Sequence, residues 1–263
     1  MPTRTRNVAH RVVPALAAAA LALVLGGCSM DTTSPADARQ EAESVDQTLA
    51  APDSAGAPSG VDCDTAKCIA LTFDAGPGKD TPRLLDTLKA KKVHATFFLL
   101  GENHVLKHPD VVRRIADEGH EVANHTWSHR RLDKLKTGEI REELSRTQDA
   151  IAEITGRRPT LMRPPQGRIN DDVTKVSREL GLAQILWSAT AKDYSTTDSE
   201  LIKKRIVDQA GRDGIILLHD IYDGTVPAVP GIIDELKKRG YTFVTVPELL
   251  APATANPGEV YRP

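Results

Sequence analysis

The sequence is poor in cysteine and carries no excess of either charge. Three cysteines among 263 residues are too few for a fold built on disulfides. The 34 Lys and Arg nearly balance the 36 Asp and Glu, and the net charge of −2 provides no diffuse basic surface for a nucleic-acid partner. A content of 40% hydrophobic residues with this charge balance is typical of one globular domain with attached tails.

The N-terminal segment lacks a membrane-spanning run but has the pattern of an export signal. Basic residues precede an apolar stretch over residues 12–25, which contains Pro14 and is shorter than the roughly 20 residues of a transmembrane helix. The following LGGC motif resembles the lipobox of bacterial lipoproteins, in which the cysteine becomes the lipid-bearing first residue. We therefore expect a signal peptide over residues 1–28 and a lipid anchor on Cys28 at the outer face of a bacterial membrane. Ordinary secretion is the alternative.

Two further features precede the folded part of the chain. Residues 29–60 are rich in Ala, Ser, Thr, Pro and acidic residues, and such a composition buries too little surface to offset its ordering entropy. It predicts a disordered tether, with a short transient helix around residues 36–49 as the alternative. Cys63 and Cys68 come next, and an oxidising compartment outside the cell favours a small disulfide between them. Two free thiols and a metal-binding pair are the alternatives.

Beyond Cys68 the hydrophobic pattern changes repeatedly between strand and helix. Residues 69–73 and 214–218 are apolar runs typical of buried strands, whereas Thr137–Thr155 has the period of an amphipathic helix with Gly156 as its stop signal. About six or seven such strand and helix units predict an α/β fold with a parallel sheet or barrel. We expect a single domain over residues 61–250, followed by a flexible tail over residues 251–263.

Polar residues follow the predicted strands, at the edge where parallel α/β folds carry their sites. Asp74 comes directly after the first strand, and His219 ends the apolar run 214–218. His125 and His129 stand four residues apart, a spacing that allows both imidazoles to approach one ion. Each residue alone is more often structural. Their recurrence at strand ends points to one shared site.

The motifs TFDAGP, HTWSH, RPPQG, WSATAKDY and LLHD, in this order, resemble the NodB homology domain of polysaccharide deacetylases, carbohydrate esterase family four. The resemblance runs from about Cys68 to Leu250. It implies a distorted (β/α)7 barrel and metal-dependent removal of acetyl groups from extracellular glycans.

The resemblance also assigns roles to individual residues. His125 and His129 would bind a divalent ion, zinc in preference to cobalt or nickel. Asp74 would be the general base, with Arg163 orienting its carboxylate. His219 would be the general acid. Asp193 would support the imidazole of His219. Four residues would line the acetyl pocket: Trp187, Tyr194, Leu217 and Pro165.

The sequence departs from the family pattern at the metal site. The family motif has a second aspartate, the third protein ligand of the metal, where this chain has Ala75. Two histidines alone should hold an ion weakly, because catalytic zinc sites normally have three protein ligands. Three accounts remain open: Asp74 serves as a ligand, Asp80 or Asp223 fills the gap, or the domain binds glycan without hydrolysing it. Thr190 and Gln166 are further departures.

These patterns favour a monomeric, metal-dependent deacetylase of N-acetylated glycans. For a protein tethered outside a bacterial membrane, peptidoglycan is the favoured substrate, with chitin-like glycans and acetylated xylan as alternatives. The competing hypothesis is a glycan-binding pseudoenzyme whose cleft persists without its ion.

Overall fold

A computed structural model describes Met1, residues 32–46 and residues 60–263. The predicted lipid-anchor residue Cys28 lies outside the described residues, as do residues 29–31 and 47–59 of the predicted tether. The chain divides into two units, residues 1–30 and residues 31–263, and the description below concerns the second. In the described residues, no helix is both long and apolar enough to cross a bilayer.

Nine strands in the described part of the chain form one parallel sheet, which curls into a half-barrel. The strands are β1 (Cys68–Asp74), β2 (Thr96–Leu99), β3 (Glu121–Asn124), β4 (Leu161–Met162), β5 (Ala183–Ile185), β6 (Ala189–Thr190), β7 (Gly214–His219), β8 (Thr242–Val244) and β9 (Val260–Tyr261). Their order is β6, β7, β1, β2, β3, β4, β5, β9, with β8 also paired to β1.

Helices connect most of these strands. They are α1 (Pro35–Asp46), α2 (Thr81–Lys91), α3 (Pro109–Asp117), α4 (Thr137–Thr155), α5 (Asp171–Glu179), α6 (Ser199–Gln209), α7 (Thr225–Lys238) and α8 (Val246–Leu250). This succession, with every pairing of the named strands parallel, confirms the expected α/β fold of the distorted (β/α)7 type.

The side-chain alternation of β1 explains why its last residue faces the site. Ile69, Leu71 and Phe73 pack in one buried cluster with the leucines of α2. Ala70 belongs to a second cluster on the opposite face of the strand. Because successive strand residues point to opposite faces, Asp74 lies on the same face as Ala70. Packing of the apolar residues therefore directs the Asp74 carboxylate to the concave side of the sheet.

A disulfide lies at the entrance to this strand. Cys63 and Cys68 are joined, with a Cα–Cα distance of 5.4 Å. The carbonyl groups of Cys63 and Asp64 both accept hydrogen bonds from Arg212, at 2.7 and 2.6 Å. The crosslink and these contacts connect the turn before β1 to the turn before β7.

The prediction of a disordered tether is wrong for residues 33–46, which we call the N-terminal strap. Its Arg39 is only 2% exposed and donates to Asp64 at 2.8 Å, to Asp213 at 3.1 Å and to the Leu249 carbonyl at 2.8 Å. Asp64 precedes β1 and Asp213 precedes β7, so α1 packs at the N-terminal ends of these strands. A single buried guanidinium with three acceptors stabilises a segment that has little apolar surface of its own.

The prediction of a flexible tail over residues 251–263 is also wrong. Val260 and Tyr261 form β9, which pairs with β5, and both are at most 5% exposed. The strap continues this edge, since the Thr33 amide donates to the Val260 carbonyl and the Arg262 amide donates to the Thr33 carbonyl. The Ala- and Pro-rich composition of the stretch before β9 led to the prediction of a tail, although two residues of this segment form the edge strand of the sheet.

Candidate active site

The ends of neighbouring strands bring the predicted site residues together. Asp74 of β1 is paired in register with His219 of β7, so both side chains leave the sheet on the same face. Asn124 of β3 is paired with Met162 of β4. His125 and Arg163 directly follow the ends of these two neighbouring strands and therefore lie side by side.

The Asp74 carboxylate is held by a fully buried arginine. Arg163 donates from Nη1 to Asp74 Oδ1 at 2.6 Å and to Thr72 Oγ1 at 2.7 Å. Its other nitrogens donate to the carbonyl groups of Ile185, at 3.0 Å, and Leu186, at 3.3 Å. Burial lowers the pKa of the Arg163 guanidinium, while the charge of Asp74 opposes this effect. Asp74 Oδ1 is thus fixed, and Asp74 Oδ2 faces the histidines.

His125 presents one defined nitrogen to the site. Its Nδ1 donates to the Arg163 carbonyl at 2.7 Å, which leaves Nε2 3.8 Å from Asp74 Oδ2. Burial lowers the pKa of His125 to about 4, so the imidazole is neutral at physiological pH. The His129 ring centroid lies 5.0 Å from that of His125. His129 is exposed at the surface of the site, and partial desolvation lowers the pKa of its imidazole.

Opposite this pair, His219 is supported by a buried carboxylate. Its Nδ1 lies 2.8 Å from Asp193 Oδ1, and its backbone amide donates to Asp193 Oδ2 at 2.7 Å. The Thr225 hydroxyl, which sequence reasoning missed, donates to Asp193 Oδ2 at 2.8 Å. Burial opposes protonation of His219, but the hydrogen bond and charge of Asp193 outweigh it and raise the pKa of the imidazole. Because Asp193 holds Nδ1 of His219, Nε2 is the ring nitrogen that can act on a substrate.

Replacing Asp193 with asparagine is expected to lower the pKa of His219 and to destabilise the fold in a pH-dependent way. A raised His219 pKa contributes stability below the unfolded value of about 6.5, and this contribution is lost as pH rises through the folded pKa. The loss in free energy of unfolding should therefore be larger at about pH 5.5 than at about pH 9. Urea unfolding at both pH values, with an NMR titration of His219, measures this. An equal loss at both values would contradict it.

The predicted acetyl-pocket residues do not share one environment. Leu217 is 6% exposed and lies two residues before His219 on the same strand face, and Pro165 is buried. Trp187 is partly buried, with its ring centroid 5.6 Å from Arg163 Cζ. Tyr194 is 60% exposed, with its ring 6.5 Å from that of His219. Tyr194 lies on the rim of the site, whereas the other three lie deeper.

Two buried carboxyl groups near the site were not predicted. Asp220 accepts a hydrogen bond from Thr81 at 2.5 Å, and burial raises its pKa to about 6. Glu143, on α4, accepts hydrogen bonds from the segment between the two histidines. One sequence feature could have indicated Glu143. It is an acidic residue on the inward-facing side of α4, among the apolar positions that include Ile140 and Leu144.

The donor set falls one ligand short of a three-ligand metal centre. The described residues contain no group of three His, Cys, Asp or Glu side chains that could hold a metal ion. Asp74 Oδ1 is occupied by Arg163, and Ala75 offers no donor atom. Asp80 and Asp223 lie 3.9 and 3.0 Å from the Lys79 ammonium, and neither carboxylate joins the histidines. The residues present therefore do not fit a complete catalytic zinc site.

Comparisons with known proteins agree with this fold and these motifs. A family model described as polysaccharide deacetylase matches residues 62–185. A solved structure described as "T48 deacetylase with substrate" has a TM-score of 0.73 at 38% identity, and the match covers 77% of this chain and 100% of that chain. The chain belongs to the polysaccharide deacetylase family.

Two further members of the polysaccharide deacetylase family bear on activity. The peptidoglycan-N-acetylglucosamine deacetylase PgdA of Listeria monocytogenes is 41% identical over 186 residues, which cover 70% of this chain and 39% of PgdA. This chain thus spans well under half the length of that relative. A solved mutant of a family pseudoenzyme, described as having restored enzymatic activity, is 30% identical with a TM-score of 0.67, and the match covers 71% of this chain and 68% of that chain.

Proposed function

We propose that this chain is a hydrolase that removes acetyl groups from N-acetylated glycans, with peptidoglycan as the favoured substrate. The observation that carries the proposal is the arrangement of two supported acid–base groups on the same face of adjacent strands: the Asp74 carboxylate held by Arg163, and the His219 imidazole held by Asp193. The similarity to PgdA supports the choice of substrate. Two other substrates are to be tested: chitin oligomers, which carry acetyl amides, and acetylated xylan, which carries acetyl esters.

Asp74 is the general base of the proposed reaction. Amide hydrolysis requires a water molecule that loses a proton as it attacks the carbonyl carbon. Arg163 holds one oxygen of Asp74, so that the other oxygen keeps a fixed direction toward the cleft. A fixed acceptor lowers the entropic cost of aligning the water.

His219 is the general acid. The departing amine is a poor leaving group and needs a proton as the carbon–nitrogen bond breaks. Asp193 holds His219 Nδ1 and raises the pKa of the ring, so that a proton is available on Nε2. Leu217, Pro165 and Trp187 form the apolar side of the site, where a methyl group of an acetyl unit would lose contact with water.

The metal, the anchor and the oligomeric state are separate proposals. Members of this family use a divalent metal. Although the described residues are one ligand short of a complete site, zinc, ahead of cobalt or nickel, is the ion we propose for His125 and His129. The lipobox-like motif supports a lipid anchor on Cys28 and a location at the outer face of the membrane, with secretion as the alternative. We propose a monomer.

One observation favours a second function. Ala75 removes a donor from the metal site, which supports a glycan-binding pseudoenzyme whose cleft recognises sugar without cleaving the amide. The relative with restored activity shows that pseudoenzymes occur in this family.

Acetate release by the full chain tests the proposal. Peptidoglycan and N-acetylglucosamine oligomers are incubated with the purified protein, with chelator, and with added zinc or cobalt. We expect acetate from peptidoglycan, and a fall of about 100-fold or more in the Asp74→Asn variant, because the base is removed while the side-chain volume is kept. No acetate under any metal from a folded chain that still binds glycan would establish the second function.

A further inference from the structure

The segment between the two histidines, which we call the histidine loop (residues 125–129), has a backbone that its own sequence does not favour. Thr126 has φ of 75° and His129 has φ of 61°. Left-handed backbone is costly for residues that carry a Cβ, and threonine is branched at that atom. Neither residue is glycine. The surrounding structure must therefore hold this conformation.

The donors and acceptors of the histidine loop have partners both inside and outside it. The Thr126 amide donates to Asn124 Oδ1 at 2.7 Å, and the His129 amide donates to Thr126 Oγ1 at 3.1 Å. The carbonyl groups of Thr126 and Trp127 accept from the amides of Gly101 and Glu102. The His125 amide donates to the Leu99 carbonyl at 2.8 Å. The two remaining amides, those of Trp127 and Ser128, need an acceptor from elsewhere, since shielded amides are almost always paired.

That acceptor is the carboxylate of Glu143, which is 6% exposed. Glu143 Oε2 accepts from the Trp127 amide at 3.1 Å and from the Ser128 amide at 2.8 Å. Glu143 Oε1 accepts from the Ser128 hydroxyl at 2.5 Å. Three hydrogen bonds to one ionised group are stronger than bonds to a neutral acceptor, and they all converge on the middle of the histidine loop.

Neighbouring residues of α4 make this contact rigid. The Leu144 carbonyl accepts from Asn124 Nδ2 at 2.8 Å, and Arg146 lies 4.0 Å from the centre of the Trp127 ring. The Trp127 ring also packs so closely against Gly101 that a Cβ on that residue would lie 2.3 Å from the ring. One turn of α4 thus fixes the backbone, the indole ring and the start of the histidine loop.

We propose that Glu143 is a positioning residue that sets the separation and direction of His125 and His129. Its hydrogen bonds go to the backbone between the imidazoles and to the Ser128 hydroxyl, so it positions the rings through the backbone, while its charge also favours the protonated form of His129. Its importance for turnover rests on the proposed deacetylase function, whereas its effect on the imidazoles does not.

Side-chain length and charge can be separated by three variants. Glu143→Gln keeps the length, and its amide can accept from both backbone N–H groups while donating to the Ser128 hydroxyl. Glu143→Asp keeps the charge but is shorter by one methylene, and Glu143→Ala removes every contact. Glu153→Ala, on an exposed position of the same helix, is the matched control.

Two readouts are measured on the full chain: the imidazole ¹H–¹⁵N spectra of His125 and His129, and the kcat and KM of acetate release. In the Ala and Asp variants we expect both imidazole signals to shift or broaden, and kcat to fall by about 10- to 100-fold with little change in KM. Glu143→Gln should restore kcat to within about threefold of the unmodified chain, because the loop geometry returns without the charge. Calorimetry confirms that each variant is folded.

The outcomes separate the positioning role from the proposed function. A folded Glu143→Ala protein with unchanged imidazole signals would overturn the positioning role. If that variant does not fold, identical spectra for the Gln and Asp variants would overturn it. Imidazole signals that shift only in the Ala and Asp variants, in a chain that releases no acetate at all, would keep the positioning role and reject the deacetylase.

Discussion

Replacing Ala75 with aspartate is expected to tighten the binding of zinc or cobalt by at least about 100-fold, or about 2.8 kcal/mol. Zinc in four-ligand protein sites is bound by about 10–16 kcal/mol, which amounts to about 3 kcal/mol for each ligand. The substitution adds a carboxylate next to Asp74, near the two imidazoles. Its backbone cost is small, because Ala75 already has φ of 66°, a region that Asp and Asn adopt more readily than Ala.

Ala75→Asn is the matched control for this prediction. Asparagine has the same shape and the same tolerance of left-handed backbone, but its neutral amide is a weaker ligand. Calorimetric titration with zinc and cobalt should separate the two variants, and acetate release should rise only in the aspartate variant. Equal metal affinities for the unmodified chain and both variants would contradict the prediction and would mean that another residue already fills the site or that no ion binds beside His125 and His129.

Replacing Arg163 with methionine is expected to lower the free energy of unfolding by about 3–5 kcal/mol, because it leaves the buried Asp74 carboxylate without its partner. Methionine fills much of the volume next to Phe98, whose ring lies 4.1 Å from Arg163 Cζ, so a cavity contributes little. Adding Asp74→Asn to the variant should recover part of this loss, since the second change removes the uncompensated charge. Urea unfolding of the single and double variants measures the coupling.

Arg130→Met is the control for general loss of a cation. Arg130 is half exposed and pairs with Glu139 at 2.9 Å, so its removal should cost at most about 1 kcal/mol. If Arg163→Met and Arg130→Met lowered the free energy of unfolding equally, the buried Asp74–Arg163 pair would contribute no more to stability than an exposed ion pair.

Local patterns were sufficient to predict most of the regular structure. The helix Thr137–Thr155 begins and ends where its apolar period does, and Gly156 follows it with φ of 73°, as its stop signal requires. The packing of the strap was not predictable in this way, since the partners of Arg39 lie 25, 174 and 210 residues along the chain. The local sequence allows a short transient helix around residues 36–49, but only the distant contacts of Arg39 show that it is packed against the domain.

In the candidate site, too, some residues could be predicted from local sequence patterns and others could not. Asp74 and His219 are predictable because each ends an apolar strand, and parallel strands place their ends together. Glu143 supports the histidine loop from a helix position that reads as the edge of an amphipathic face, and only the folded contacts reveal its role. Residues with proposed roles in the reaction are therefore easier to recognise in this sequence than a residue that holds others in place.

The N-terminal strap bears on how this protein should be produced for study. A recombinant fragment beginning at Val61, the boundary suggested by composition, would lack Arg39 and leave Asp64 and Asp213 facing solvent at the foot of β1 and β7. It would also remove the Thr33 partner of the β9 edge and expose that strand to pairing with other molecules. An N-terminal boundary before Thr32 would preserve both contacts, and poor solubility of a shorter fragment would report on its boundary and not on the activity of the protein.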